Sequence, residues 1–174
     1  MEKLRYPIGK FVSIPNPTDE ERSNCIRQIS ELSKSLREIV NGLDDGQLQT
    51  PYRPGGWSVQ QVVHHMADND MNAYFRLKRA LTEDGPMASS YREDLWAELR
   101  DYKDIPIGNS LSLLEVLHIR LLILLNGLSP DDFNRTLITQ VLGVITIDGA
   151  LQRFVWHNHH HLAQISALRA SKGW

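Results

Sequence analysis

The chain has 174 residues, 41% of them hydrophobic and 23% charged, with 19 Lys and Arg against 21 Asp and Glu for a net charge of −2. That length suits one domain, 1–174, with a real hydrophobic core, and the composition is that of an ordinary soluble globular protein. The balance of charge excludes a nucleic-acid footprint and a basic membrane patch. Cys25 is the one cysteine, so no internal disulfide can form, which fits a reducing compartment. The start of the chain lacks the apolar run of a signal peptide, and the longest apolar region, around Leu111–Leu125, is broken by Glu115, His118 and Arg120. The expectation is therefore no membrane span and a cytoplasmic protein.

Residues 1–17 carry Pro7, Gly9, Pro15 and Pro17 and are expected to form an extended arm. Thr18-Asp-Glu-Glu21 is a capping box, opening a helix whose apolar stripe is Ile26, Ile29, Leu32, Leu36, Ile39 and Val40; Asn41-Gly42 ends it. After the turn-rich stretch from Thr50 to Gly56, Ser58-Val-Gln-Gln61 is a second capping box for a helix to about Thr82. A polar and aromatic connection through Pro86, Tyr91, Trp96 and Pro106 leads to a third helix, for which Ser110 is the expected cap. Ser129-Pro-Asp-Asp132 predicts a short helical start, and the β-branched Leu137–Ile147, interrupted by Gly143, predicts a small hairpin. Asp148 is the expected cap of a last long helix ending near Ala170. Four long helices with sizeable connections predict an all-α four-helix bundle with at least one long crossover and a small β-hairpin before the last helix.

Six of the seven histidines fall in two clusters, His64-His65 and His157 with His159-His160-His161. His157 and His161 are four apart, so on a helix they lie within about 40° of each other and can hold one ion. They sit at the edge of the arc formed by Leu151, Phe154, Ile165 and Leu168; His159 points roughly the other way, and His160 lies beyond His157 near Gln164. A third ligand must come from another helix. On the second long helix His65 borders the apolar arc on the side of Asn69 and Arg76, and His64 borders it on the other, so periodicity does not choose between them. His118, among the leucines of the third helix, reads as a hydrogen-bonded core residue, and Asn158 as a polar group inside the core arc.

Several longer strings now carry a resemblance over nearly the whole chain. They are Tyr6-Pro-Ile-Gly9, Thr50-Pro-Tyr-Arg-Pro-Gly-Gly-Trp-Ser58 and Gln61-Val-Val-His-His-Met-Ala-Asp68. Met71-Asn72, Phe75-Arg76, Val155-Trp-His-Asn-His-His-His-Leu-Ala-Gln-Ile165 and Gly173-Trp174 complete them. With these the chain resembles the DinB superfamily, and within it the YfiT-like metal-dependent hydrolases. The resemblance implies a four-helix bundle holding one divalent metal per chain, Zn2+ or Ni2+. It implies His65, which precedes Met66-Ala67-Asp68, together with His157 and His161 as the ligands, and a cytoplasmic homodimer.

Three histidines leave coordination positions open, which is the arrangement of a catalytic metal. The first reading is a metal-dependent hydrolase acting on a small molecule. The alternative is an S-transferase for a low-molecular-weight thiol, since some YfiT-like proteins resemble bacillithiol transferases; the second alternative is a non-catalytic metal-binding stress-response module. His160 and Asp68, within a turn of ligands, are the candidate catalytic groups. Asp68 is also able simply to orient an imidazole, and His160 to face solvent. Arg53 and Arg76 are weighed as partners for an acidic substrate group, with surface solvation the simpler reading.

Overall fold

The computed structural model describes residues 2–174. In chain order the helices are α1 (Glu2–Arg5), α2 (Asp19–Val40), α3 (Asp45–Leu48), α4 (Val59–Thr82), α5 (Glu93–Trp96), α6 (Arg100–Asp104), α7 (Ile107–Asn126) and α8 (Ile147–Lys172). A 3-10 turn (Asp132–Asn134) and strands β1 (Thr136–Thr139) and β2 (Gly143–Thr146) precede α8. The strands pair antiparallel, with Leu137 opposite Ile145, forming the hairpin expected before the last helix. The Pro86–Ala88 segment lies along β1, with Ala88 N–H donating to the Ile138 carbonyl at 2.7 Å.

Both predicted capping boxes form. Thr18 Oγ1 accepts from Glu21 N–H while the Glu21 carboxylate accepts from Thr18 N–H, and Ser58 and Gln61 repeat the pattern. Two other caps differ from expectation. Helix α7 starts earlier, behind Pro106, because proline's fixed φ suits a helix entrance; Ser110 is thereby left inside the helix, where it meets His64. The cap of α8 is Thr146, whose hydroxyl accepts from Gly149 N–H at 3.1 Å. Asp148 is instead buried against Arg22, with contacts of 2.7 and 2.8 Å. The arm also differs: its first residues form the helical turn α1, and the remainder is extended apart from short turns.

Cross-helix contacts give the directions. Arg22 meets Asp148 near the starts of α2 and α8, and Arg169 meets the Ile39 carbonyl near their ends, so these helices run parallel. His64–Ser110 and Asp70–His118 make α4 and α7 parallel too, while His65–His161 and Asn69–His157 make α4 and α8 antiparallel. Helices α7 and α8 each pack against both α2 and α4, which face each other across the bundle. A parallel neighbour needs a return connection, and residues 83–106 must run back along most of α4, about 36 Å for 24 residues. Gln60 and Gln61 hold that return by donating to the backbone carbonyls of Tyr102 and Ala97.

The core is built from Ile29, Leu32 and Leu36 of α2, Val62, Val63 and Met66 of α4, Leu114 and Leu121 of α7, and Leu151, Ile165 and Leu168 of α8. Contrary to the sequence reading, α7 is long and apolar enough by length and composition to cross a membrane. In the fold it serves as a bundle helix, with Leu111, Leu114, Leu117, Leu121 and Leu125 in the core.

Candidate metal centre

The helix period brings His157 and His161 to one face of α8, and the antiparallel packing of α4 sets His65 opposite them. His65 Nε2 lies 3.3 Å from His157 Nε2, and His161 Nε2 lies 3.2 Å from the same atom. The three ligand atoms all fall within 4.8 Å of one another, and the cluster holds no other His, Cys, Asp or Glu among the described residues. His64 turns away: its Nδ1 meets Ser110 Oγ at 2.7 Å and its Nε2 the Ile105 carbonyl at 3.1 Å, so both ring nitrogens are already occupied.

Burial pushes the pKa of His65 down to about 4, and burial followed by the neighbouring imidazoles pushes those of His157 and His161 well down as well. The site is therefore three neutral rings. His161 Nδ1–H donates to Gln164 Oε1 at 2.9 Å, which leaves its Nε2 a bare lone pair aimed at His157. Lone pairs facing one another at such distances suit a cation between them. Four ligands at about 2.05 Å in a tetrahedron stand about 3.3 Å apart, which matches the spacing of His157 Nε2 from the other two. The donor set thus fits one divalent metal.

Around the rings lie groups that fix them. The amide nitrogen of Asn69 sits 3.1 Å from His157 Nδ1. Asn69 and Asn158 both donate to Asp70 Oδ1, and His118 donates to Asp70 Oδ2 at 2.8 Å, so a fully buried carboxylate joins α4, α7 and α8 behind His157. This places His118 and Asn158 in the core roles expected of them. Trp57 covers His65 with ring centroids 4.6 Å apart. Its loop is tight at Gly56, where a Cβ would meet Arg53 Cγ at 2.8 Å. Gln164 donates to the Arg5 carbonyl and contacts His160, tying the N-terminal arm to the centre.

The two candidate catalytic groups sit differently. His160 is buried, stacked on Trp156 and 5.1 Å from the His161 ring centroid, so it does not face solvent. Asp68 accepts a 2.7 Å hydrogen bond from Tyr102 and lies outside the cluster; burial raises its pKa. Asp70, Gln164 and Asn69 were not foreseen as site residues, though Asp70 stands four after Met66 and seven before Leu77, an acid on the core stripe of α4. A cavity of about 140 Å³ opens from His157 and Asn69 between α4, α8 and the hairpin, walled by leucines and Phe154 and flanked by Arg76 and Arg153.

The DinB superfamily model matches residues 28–165. "Putative metal-dependent hydrolase YfiT" of Bacillus subtilis is 41% identical, covering 98% of this chain and 97% of its own. A relative from Oceanobacillus iheyensis, also named a metal-dependent hydrolase in the same qualified words, is 45% identical over 98% of both chains. The solved YfiT structure, described as a probable metal-dependent hydrolase with an unusual four-helix bundle topology, superposes with a TM-score of 0.96 over 99% of both chains. Another four-helix bundle protein, at 21% identity and a TM-score of 0.60, shares the fold. By the span of the family match and the identity of these relatives, the chain belongs to the DinB superfamily.

Proposed function

We propose that the chain is a metal-dependent hydrolase of a small molecule, holding one Zn2+ or Ni2+ on His65, His157 and His161. The observation that carries this reading is the convergence of three neutral imidazoles, their ligand atoms all within 4.8 Å of one another, beside a cavity. A divalent cation in that position supplies Lewis acidity and draws the pKa of water toward neutrality. The chain's own residues do the rest. Gln164 holds His161 in the tautomer that presents Nε2, and Trp57 packs over the His65 ring. His160 is the better placed proton carrier, since it shares Gln164 with His161, whereas Asp68 is engaged by Tyr102.

One observation favours a second reading. The cluster contains no carboxylate among the described residues, and hydrolysis ordinarily draws on a general base. Transfer of a low-molecular-weight thiol needs none once the thiol is ionised: the sulfur forms its bond to an electrophilic carbon as the leaving group departs. The unpaired Cys25 supports a cytoplasmic setting. On α7, Val116, Ile119 and Ile123 are 59%, 59% and 72% exposed along one stripe, which supports a second copy of the chain as partner.

The metal-loaded protein should be assayed against a panel of esters and amides without thiol. A parallel assay should use monochlorobimane with bacillithiol, cysteine, coenzyme A or glutathione. Thiol-independent, metal-dependent hydrolysis is the expected result. Conjugation with one thiol alone would transfer the assignment to the second reading. Tight metal with neither activity would leave a non-catalytic module.

A further inference from the structure

Arg76 of α4 and Arg153 of α8 flank the same cavity from opposite helices, and Arg153 precedes His157 by one turn. Among the described residues neither guanidinium has a carboxylate within ion-pair distance. Arg76 donates once, to the Ser89 carbonyl, and its Nε is buried without a partner. Arg153 lies over the Phe11 ring at 5.8 Å, and Glu93 acts on it only from longer range. Both arginines are half-buried; drawing a guanidinium out of water without an anionic partner is costly, and two lining one cavity call for an anion there. The rest of the wall is apolar: Leu77, Leu121, Leu151 and Phe154. The volume, about 140 Å³, compares with the roughly 150 Å³ that accepts a benzene ring.

We infer that the cavity binds a small anionic amphiphile, with an apolar body of about six carbons among the leucines and its anionic group between Arg76 and Arg153. Carboxylate and phosphate share this chemistry. Arg153 stands one helical turn, about 6 Å along the axis, before His157, so the anionic group is held on the helix face that carries the metal ligands. The inference rests on the proposed function for the role of this site, and names the substrate class that the site takes.

The test is calorimetric titration of the metal-loaded and chelator-stripped protein with hexanoate, hexyl phosphate, 1-hexanol and hexylamine. At least one of the two anions should bind ten times tighter or more than the alcohol, and the amine should not bind. Arg76→Gln and Arg153→Gln should each weaken the anion at least tenfold with 1-hexanol unchanged, which also shows that the cavity has kept its fold. Arg153→Lys should recover part of the loss. Equal binding of anion and alcohol, or Arg→Gln variants that bind the anion like the parent, would overturn the subsite. So would anion binding that stripping abolishes and the arginine variants retain, because the anion would then sit on the metal. If the protein carries no metal yet the arginine pattern holds, the metal reading fails and the subsite stands.

Discussion

Asp70→Ala removes the one carboxylate on which the buried polar network converges. In the parent, Asp70 is fully buried; Oδ2 accepts from His118 at 2.8 Å, and Oδ1 accepts from Asn158 at 3.0 Å and Asn69 at 3.3 Å. The variant strands His118 in the core with no acceptor and leaves Asn158 with the Phe154 carbonyl alone. Leaving buried donors without their acceptor costs about 1–3 kcal/mol each, about 4 kcal/mol for this set. For a chain of this size that lowers Tm by roughly 8–16 °C. Asp70→Asn keeps one acceptor oxygen for the two amides and lets His118 switch tautomer to receive the new N–H. It loses only the charge assistance, about 1–2 kcal/mol. Thermal and urea unfolding of chelator-stripped protein, compared across the three proteins, reads both values. An Asp70→Ala loss under about 1 kcal/mol, or an Asn variant as damaged as the Ala variant, would refute the network as the joint between α4, α7 and α8.

Other expectations follow from neighbouring contacts. Gln164→Ala frees His161 to place its proton on Nε2 and should weaken metal affinity by about ten- to a hundredfold, measured by competition with a chromogenic chelator; an unchanged affinity would remove Gln164 from the centre. Arg22→Ala leaves Asp148 buried without its bidentate partner and should cost about 3 kcal/mol by urea unfolding, with metal content unaffected. In chelator-stripped protein the unfolded chain takes a proton on His65 near pH 6.5, while burial defers that proton to about pH 4 in the folded one. Stability should therefore fall as the pH drops through that window, by about 3 kcal/mol from His65 alone; a flat profile from pH 6.5 to 4 would contradict the burial of the ring.

Local signals decided which parts of this protein could be read from its sequence. The capping boxes at Thr18 and Ser58 are short and self-contained, and both helix starts follow from them. The caps at Pro106 and Thr146 were misassigned because Ser110 and Asp148 look like caps in one dimension. In three dimensions each is drawn off by a partner far along the chain, His64 and Arg22. The i, i+4 pair His157 and His161 was legible from helix geometry, while the choice of His65 over His64 was not. That choice depends on α6 and α7 engaging both nitrogens of His64, which only the long return through residues 83–106 brings about. Asp70 left a readable trace as an acid on an apolar stripe. The pairing of Arg76 with Arg153 across the cavity left none, because it depends on α4 and α8 running antiparallel.

The central claim is a metal on three histidines, and elemental analysis of untagged protein purified without added metal tests it most directly. It should be run beside His65→Ala, His157→Ala and, as a control on the neighbouring ring, His64→Ala. The account predicts close to one zinc or nickel per parent chain, lost in the first two variants and kept in the third. Absence of metal from the parent, or content unchanged when His65 or His157 is removed, would contradict it.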